Sequence, residues 1–386
     1  MQIQQKKTGW WAELPEDLLV LIATRFSLFE DFLSFSGVCR SWRSVAINDN
    51  FKGSEQIPWL MLSNKDKPDE RQFVSLRKGG VIRTVYLPEA RGKQCLETLG
   101  WLVITSNDGV ISLLHPFTRV QINLPHVTTL KHYNPSEKRN HLRCIHKAVL
   151  SSRPDEGKDY VLVVIYAPSR HLAFWRPEDR SWTAIRSPLC FFSDINFYQG
   201  LCYGVIHNKP GVFLAVDVWG PQPTRARHID VALGPFQQVM SIEHKNFYIV
   251  ESAGQLLMVI QILRELSLPI FSAYDPFISD FKVESRVQYR TCGFKVFEVA
   301  LKGTGKLVES LSLGDNALFL DDNAMISVDA SRFPGVKANC IYFTDRTEGG
   351  KGIGVYNMED GSLSPCYEGK SLNRTWPPLW VHPSSF

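Results

Sequence analysis

Paired cysteines and long apolar runs are both missing from this sequence. Its eight cysteines include no C-x-x-C pair and show neither disulfide-scaffold nor zinc-site spacing, which indicates free thiols in a reducing compartment. Residues 1–11 contain no apolar core of the type found in signal peptides. The longest apolar stretch, residues 256–263, includes Gln261 and is far shorter than the ~20 residues that span a bilayer. We therefore expect a protein of the cytoplasm, the nucleus or both, with no membrane partner.

Positive charge is neither abundant nor concentrated. The net charge is +4, and no five lysines or arginines occur in a row. Because nucleic-acid-binding proteins usually carry a dense basic patch, we predict no nucleic-acid partner. The 386 residues, of which 44% are hydrophobic and 21% charged, suit a globular protein of about two domains.

Signatures of catalysis, phosphate binding and metal binding are weak or missing. Segment 349–354 is rich in glycine, but it precedes a predicted strand rather than a helix and lacks the Gly-Lys-Ser/Thr of a phosphate loop. No nucleophile motif of the G-x-S-x-G type occurs. Five potential metal ligands fall in or beside a polar stretch that we interpret as an inter-strand loop: His126, His132, His141, Cys144 and His146. We predict no cofactor and no metal site.

Residues 13–47 have the period of three short amphipathic helices. Pro15 suits the first position of the first helix, because its missing N–H would have no partner there. The pattern Ser27-x-x-Glu30 is a capping box that would begin the second helix. Three such helices bury too little surface to be stable alone, so we expect them to pack against the second domain or a partner protein. Their apolar faces are marked by Leu14, Leu18, Ile22 and Phe26 in the first helix, and by Val38, Trp42 and Val45 in the third.

After about residue 70 the sequence reads as short strands separated by turns that contain glycine, asparagine or proline. One hairpin, within 101–114, has Asn-Asp-Gly at its turn. Similar units follow at intervals of roughly 40 to 60 residues, which is the spacing of four-stranded propeller blades. We therefore predict a mainly β fold, with a six- or seven-bladed β-propeller behind the helices. A pair of β-sandwiches is the alternative.

Two aromatic segments each have two possible roles, and we favour the structural role for both. Trp175 and Trp182 fit the space between blades, or else form a ligand cage. The terminal stretch 376–383 has prolines at three positions, which argue against a central strand. This stretch either covers the edge of a blade near the closure of the ring or docks a partner.

The helical segment resembles an F-box. In that family, the Leu-Pro opening, the central isoleucine and the Val-Cys-Arg-x-Trp close bind a Skp-type adaptor. The match covers about 40 residues, and Phe32 stands where the family more often has leucine. It is carried by Leu14-Pro15-Glu16-Asp17-Leu18-Leu19, Ile22, Asp31-Phe32-Leu33 and Val38-Cys39-Arg40-Ser41-Trp42-Arg43. The resemblance implies an adaptor-binding site made of Leu14, Pro15, Leu18, Ile22, Leu33, Val38, Cys39 and Trp42.

The whole layout is similar to plant F-box proteins with a C-terminal kelch-like β-propeller, which was formerly a domain of unknown function. Segments 174–182, 356–361 and 376–383 carry this likeness. We divide the chain into a disordered N-terminus (1–12), an F-box (13–53), a linker (54–70) and a target-binding β-propeller (71–386).

The two resemblances together imply the substrate-recognition subunit of an SCF-type E3 ubiquitin ligase. The F-box would bind the Skp-type adaptor and, through it, a cullin-RING ligase, while the propeller would hold an unknown target protein. Such a chain raises the local concentration of a target near the conjugating enzyme and is not itself an enzyme. The alternatives are an adaptor-bound scaffold or regulator that does not promote degradation, and an enzyme that uses the cavity of the propeller.

Overall fold

The α-helices come before the strands along the chain. A 3-10 turn at Trp10–Glu13 is followed by α1 (Glu16–Ala23), α2 (Phe29–Ser36) and α3 (Arg40–Ile47). The computed structural model describes residues 10–26, 28–47, 56–63, 66–77, 80–133, 141–207, 209–220, 225–232, 244–266, 288–301, 305–344, 353–367 and 377–383.

The strands follow in chain order, and within the described segments they form six sheets. The first two sheets contain β1 (Trp59–Ser63), β2 (Glu70–Ser75), β3 (Gly80–Tyr86), β4 (Gln94–Thr98), β5 (Trp101–Thr105), β6 (Ile111–Leu114) and β7 (Gln121–Asn123). The next two contain β8 (Ile145–Leu150), β9 (Leu162–Tyr166), β10 (His171–Trp175), β11 (Thr183–Ala184), β12 (Phe192–Tyr198), β13 (Leu201–Ile206), β14 (Lys209–Val216) and β15 (Arg227–Asp230). The remainder are β16 (Lys245–Ser252), β17 (Gln255–Leu266), β18 (Gln288–Ala300), β19 (Lys306–Ser310), β20 (Asn316–Leu320), β21 (Met325–Asp329), β22 (Cys340–Thr344), β23 (Ile353–Asn357), β24 (Leu363–Pro365) and β25 (Leu379–Val381).

The six sheets are the blades of a β-propeller. Their innermost strands lie side by side around one axis, in the order β25, β4, β8, β12, β16 and β21. Blade 1 has the strand order β25-β1-β2-β3, and blades 2 to 5 are consecutive four-stranded meanders from β4 to β19. The predicted propeller is therefore confirmed, with six blades, and the β-sandwich alternative is wrong.

The last strand of the chain closes the ring. Trp59 of β1 pairs with Val381 of β25, and Leu60 pairs with Trp380. Trp380 is fully buried, and its ring centroid lies 5.1 Å from that of Phe319 in blade 6. The structural role predicted for this stretch is confirmed, and β25 is an edge strand of its sheet rather than a central one, as its flanking prolines predict. Trp376 lies outside the described residues.

Two predicted boundaries need correction. The stretch 54–70 was expected to be a linker, yet β1 begins at Trp59 inside it and is the second strand of blade 1. The propeller therefore begins before residue 71. Residues 10–12 of the predicted disordered N-terminus belong to a 3-10 turn, and residues 1–9 lie outside the described residues.

The predicted caps of the helices also differ from the observed ones. Pro15 is the residue immediately before α1 rather than its first residue, and Glu16 and Asp17 fill the first turn. Leu28 precedes α2 and provides no side-chain cap, while Ser27 lies outside the described residues. Glu30 is buried and accepts a 3.2 Å hydrogen bond from Nε1 of Trp59, so its side chain contacts the propeller.

The interior consists of apolar clusters between neighbouring blades. Trp175 and Trp182 are both buried in the cluster that blades 2 and 3 share. Nε1 of Trp182 donates to the carbonyl of Pro125 at 2.9 Å, and Nε1 of Trp175 donates to the carbonyl of Asp179 at 2.9 Å. Both rings therefore fill space between blades, as predicted, and neither lines a ligand cage.

Blade 6 departs from the meander pattern. The chain enters it at β20, turns inward to β21, and then passes to the other side of β20, where β22 pairs parallel to it. Ala317 of β20 is thereby the partner of Cys340 of β22. The sheet has five strands, and the β20–β21 turn at residues 321–324 points toward the axis of the ring.

Polar groups of this turn fill the axis. Oδ1 of Asn323 accepts a hydrogen bond of 2.9 Å from the backbone N–H of Ala148 in blade 3, and its Nδ2 donates to the carbonyl of Glu97 in blade 2. Farther round the ring, Nζ of Lys147 lies 2.6 Å from Oδ1 of Asp194, and both side chains are almost wholly buried. The axis is thus a hydrogen-bonded junction between blades at this level, rather than an open cavity.

Candidate functional site

One face of the helical segment packs on the propeller through α2. Phe29, Phe32 and Phe35 are buried in the same apolar cluster as residues of blades 1 and 2. The ring of Phe29 lies 5.7 Å from that of Trp59 and 5.8 Å from that of Phe117. The expectation that the helices pack against the second domain is confirmed for this face.

Polar contacts fix the helices in one orientation on the propeller. The backbone N–H of Phe29 donates to Oε1 of Gln56 at 2.7 Å in a buried contact. Nη1 of Arg77, between β2 and β3, lies 3.1 Å from Oδ2 of Asp31 and 3.9 Å from Oε2 of Glu30. The Asp31 pair is partly exposed and adds little stability, whereas a buried donor such as the N–H of Phe29 costs ~1–3 kcal/mol if left without a partner.

The opposite face leaves large apolar side chains in solvent. The exposed fractions are 68% for Trp11, 59% for Leu21, 53% for Val38 and 42% for Leu18. Isolated exposed apolar residues are ordinary, but four of them within residues 11–38 are a concentration typical of a binding surface. We call Trp11, Leu18, Leu21 and Val38 the apolar patch.

The eight residues predicted to bind an adaptor divide into two groups. Pro15, Leu18 and Val38 are exposed. The other five are partly buried: Cys39, and Leu14, Ile22, Leu33 and Trp42, which pack against the propeller-facing core. None of the eight is sealed beneath the β domain, so the site remains geometrically open.

Trp42 has a structural role in addition to the predicted one. Its ring lies 4.6 Å from that of Phe35, and its Nε1 donates a 2.8 Å hydrogen bond to the carbonyl of Trp11. Oγ of Ser41 donates to the carbonyl of Ala12 at 3.3 Å. These contacts hold the N-terminal turn against α3 and thereby place the Trp11 ring within the apolar patch.

Sequence reasoning missed Trp11 and Leu21. Leu21 follows Leu18 by three residues and could have been found, because i and i+3 positions lie on one face of a helix. Trp11 lies in the stretch that was expected to be disordered, and no local pattern marks it as a contact residue. Only the hydrogen bond from Trp42 reveals its position.

Cys39 lies at the edge of the apolar patch and has an altered acidity. Its Sγ is 3.2 Å from Oγ of Ser41. The hydrogen bond from Ser41, helped by the backbone of Trp42, lowers the pKa of the Cys39 thiol. The thiol therefore has more thiolate character than an ordinary surface cysteine.

Two of the histidines considered as metal ligands make ordinary hydrogen bonds. Nε2 of His126 lies 2.9 Å from the carbonyl of Asp108, and Nε2 of His141 lies 2.8 Å from the hydroxyl of Tyr133. Across the described part of the chain, no three His, Cys, Asp or Glu side chains are grouped as metal ligands. Among the described helices, none has the length and apolar character to span a membrane.

Comparison with known families agrees with this division of the chain. The family model described as KIB1-4 beta-propeller matches residues 73–357. The chain belongs to the KIB1-4 beta-propeller family. A second model, described as F-box-like, matches residues 11–51, so it includes Trp11 as well as the three helices. The resemblance to plant F-box proteins with a propeller is confirmed, whereas the kelch-like description of the propeller stays a prediction.

KIB1-4 relatives in Arabidopsis thaliana match over nearly their whole length. F-box protein At2g26160 is 27% identical over 87% of this chain and 95% of its own. Putative F-box protein At3g25750 is 27% identical over 92% of this chain and 93% of its own. F-box protein SKIP23 is 25% identical over 93% of this chain and 90% of its own. The F-box and the propeller therefore occur together in these relatives, as they do here.

Proposed function

We propose that this protein is the substrate-recognition subunit of an SCF-type E3 ubiquitin ligase. The apolar patch and the eight predicted residues bind a Skp-type adaptor, which connects the chain to a cullin-RING ligase. The propeller binds a target protein. We place this action in the cytoplasm, the nucleus or both.

One observation carries the proposal, namely that the helices have two apolar faces and the propeller covers only one. Phe29 and Phe32 of α2 are fully buried against blades 1 and 2, while Leu18 and Leu21 of α1 remain exposed. Desolvating such side chains on a partner contributes ~25 cal/mol per Å² of apolar surface buried. The matches to an F-box-like model and to plant F-box proteins support a Skp-type adaptor as the partner.

The mechanism is proximity, and the chain performs no catalytic step in it. A target held on the propeller has its lysines kept near the charged conjugating enzyme at a high effective concentration. The hydrogen-bonded contacts of Gln56 and Glu30 fix the helices relative to the propeller, so adaptor and target are held in one relative geometry.

Adaptor pull-down with purified proteins tests the proposal. The double variant Leu14→Ala/Pro15→Ala should lose adaptor binding while keeping the circular dichroism and melting temperature of a folded propeller. Leu311→Ala is a matched control, because Leu311 is also exposed but lies after β19 in blade 5. Undiminished capture of the adaptor by the double variant would refute the assignment.

The abundance of target proteins after proteasome inhibition distinguishes a receptor that promotes degradation from a scaffold that does not. Target candidates captured both by the wild type and by the double variant, whose propeller is intact, should accumulate when the proteasome is inhibited. Unchanged abundance of all such proteins would favour an adaptor-bound scaffold or regulator instead.

A further inference from the structure

A cavity of about 440 Å³ opens on one face of the propeller. Three blades form its walls. Ser151, Ser152 and Asp159 come from the connection between β8 and β9, while Glu251 lies near the end of β16 and Gly254 in the turn that follows it. Residues 197–200 at the end of β12 and Trp219 after β14 complete it. It is therefore built by the tertiary fold rather than by one loop.

The cavity lies on the same face of the ring as the helices. Connections from a first to a second strand, and from a third to a fourth, all emerge on one face of a meander blade. The cavity uses such connections in blades 3, 4 and 5, and the helices contact Arg77 and Phe117 in such connections of blades 1 and 2. Blade 4 is opposite blade 1 in a ring of six, so the cavity faces the same side as the helices from across the axis.

The lining combines aromatic rings with negative charge. Phe197, Tyr198 and Trp219 supply the rings, and Asp159 and Glu251 supply two exposed carboxyl groups. Lysine and arginine are absent from the described residues that line the cavity. Such a surface complements a cation that also has a flat face, because a guanidinium stacks on aromatic rings and hydrogen-bonds to carboxylates.

Two of the aromatic residues make hydrogen bonds within the fold, Trp219 through its backbone and Tyr198 through its hydroxyl. The backbone N–H of Trp219 donates to Oδ1 of Asp217 at 3.0 Å, and the hydroxyl of Tyr198 donates to the carbonyl of Gly254 at 2.9 Å. The Trp219 ring is nonetheless 45% exposed. The guanidinium carbon of Arg176 already lies 6.0 Å from the centre of this ring, which shows that the ring accepts a guanidinium neighbour in this fold.

We propose that this cavity binds an arginine side chain of the target protein. The inference rests on the proposed receptor function, since it names the chemistry by which the propeller recognises its target. Arginine is favoured over lysine because its planar group can use the rings as well as the carboxylates, whereas an ammonium is a compact, strongly hydrated point charge.

Two matched peptides test the proposal on the full chain. One is an acetylated, amidated pentapeptide of glycine and serine with arginine at its centre, and the other carries citrulline, which has the same shape without the charge. Saturation-transfer NMR should show binding of the arginine peptide at least about tenfold tighter than that of the citrulline peptide. The variants Asp159→Asn/Glu251→Gln and Trp219→Ala should each lower its affinity about tenfold.

Glu359→Gln is the control, because Glu359 is an exposed carboxylate in the turn after β23, outside the cavity. Equal binding of the two peptides, or equal loss in Glu359→Gln and in the double carboxylate variant, would overturn the arginine site. The adaptor variant Leu14→Ala/Pro15→Ala should bind the arginine peptide normally. Failure of adaptor capture by the wild type would therefore count against the receptor function, whereas failure of peptide binding would count against the cavity alone.

Discussion

Asp321 of blade 6 accepts a 2.7 Å hydrogen bond from the backbone N–H of Trp380, in the strand that closes blade 1. The same carboxylate accepts from the N–H groups of Asn323 and Ala324, at 2.7 and 2.6 Å. One buried side chain thus joins the last strand of the ring to the turn that fills the axis.

The Asp321→Ala variant should be destabilised by about 3 kcal/mol or more, because three buried N–H groups lose their acceptor at ~1 kcal/mol or more each. Chemical denaturation measures this loss. Asp322→Ala should change stability much less, since Asp322 is exposed. Equal stability of the two variants would show that the closure of the ring does not depend on Asp321.

Glu97 should make the propeller less stable as the pH rises. Burial raises the pKa of this carboxyl group from 4.5 to about 8, despite hydrogen bonds from the N–H groups of Gly100 and His382. Because the folded state has the higher pKa, its contribution to stability is complete below about 4.5 and is lost as the pH rises through about 8.

The Glu97→Gln variant keeps a neutral side chain at every pH and isolates this contribution. The difference in unfolding free energy between variant and wild type should grow in favour of the variant from pH 5 to pH 8.5, by at most about 5 kcal/mol, since one pKa unit corresponds to 1.36 kcal/mol. Burial lowers the pKa of His115 to about 4, which acts with the opposite sign, but it is common to both proteins and cancels. A pH-independent difference would contradict the assignment.

Phe29 and Leu18 should separate stability from adaptor binding. Phe29→Ala should cost about 3–5 kcal/mol of stability, because it removes a fully buried ring from the interface between the helices and the propeller. Leu18→Ala should cost less than about 1 kcal/mol, since the side chain is 42% exposed, yet it should weaken adaptor capture. Thermal melts and pull-down in parallel check both; a folded Leu18→Ala that binds adaptor at full strength would argue against the apolar patch.

Trp11 should contribute to adaptor binding although it lies outside the three helices. Trp11→Ala removes a ring that is 68% exposed and leaves the backbone carbonyl that accepts from Trp42 in place. We expect at least tenfold weaker adaptor affinity, because buried tryptophans commonly dominate interfaces. Calorimetric titration measures it, with unchanged melting temperature as the control for folding. An affinity equal to that of the wild type would remove Trp11 from the patch.

Local patterns were sufficient to predict the helices and the type of fold. The spacing of Leu14, Leu18 and Ile22 marks an amphipathic helix within a few residues, and hairpin turns mark strand pairs that are neighbours in sequence. Blade 6 could not be predicted, because its parallel pairing of β20 with β22 spans a crossover that leaves no periodic signal.

The misplaced start of the propeller has a physical cause. Strand β1 lies in a proline-containing stretch, and one of its two partners is β25 at the far end of the chain. Pairing between segments so distant in sequence is decided by the closed ring rather than by local preference. Which face of the helices is covered depends likewise on Phe117 and Trp59 of the propeller. The periodicity of the helical sequence carries no information about where these two residues lie.

The pairing of β1 with β25 has a consequence for synthesis on the ribosome. Blade 1 keeps an unpaired inner edge until the residues around Trp380 have left the exit tunnel. Phe29 packs on Trp59 of this blade. The helices therefore rest on a complete blade only after β25 has paired with β1. Chains that lack β25 would thus have an incomplete first blade beneath α2.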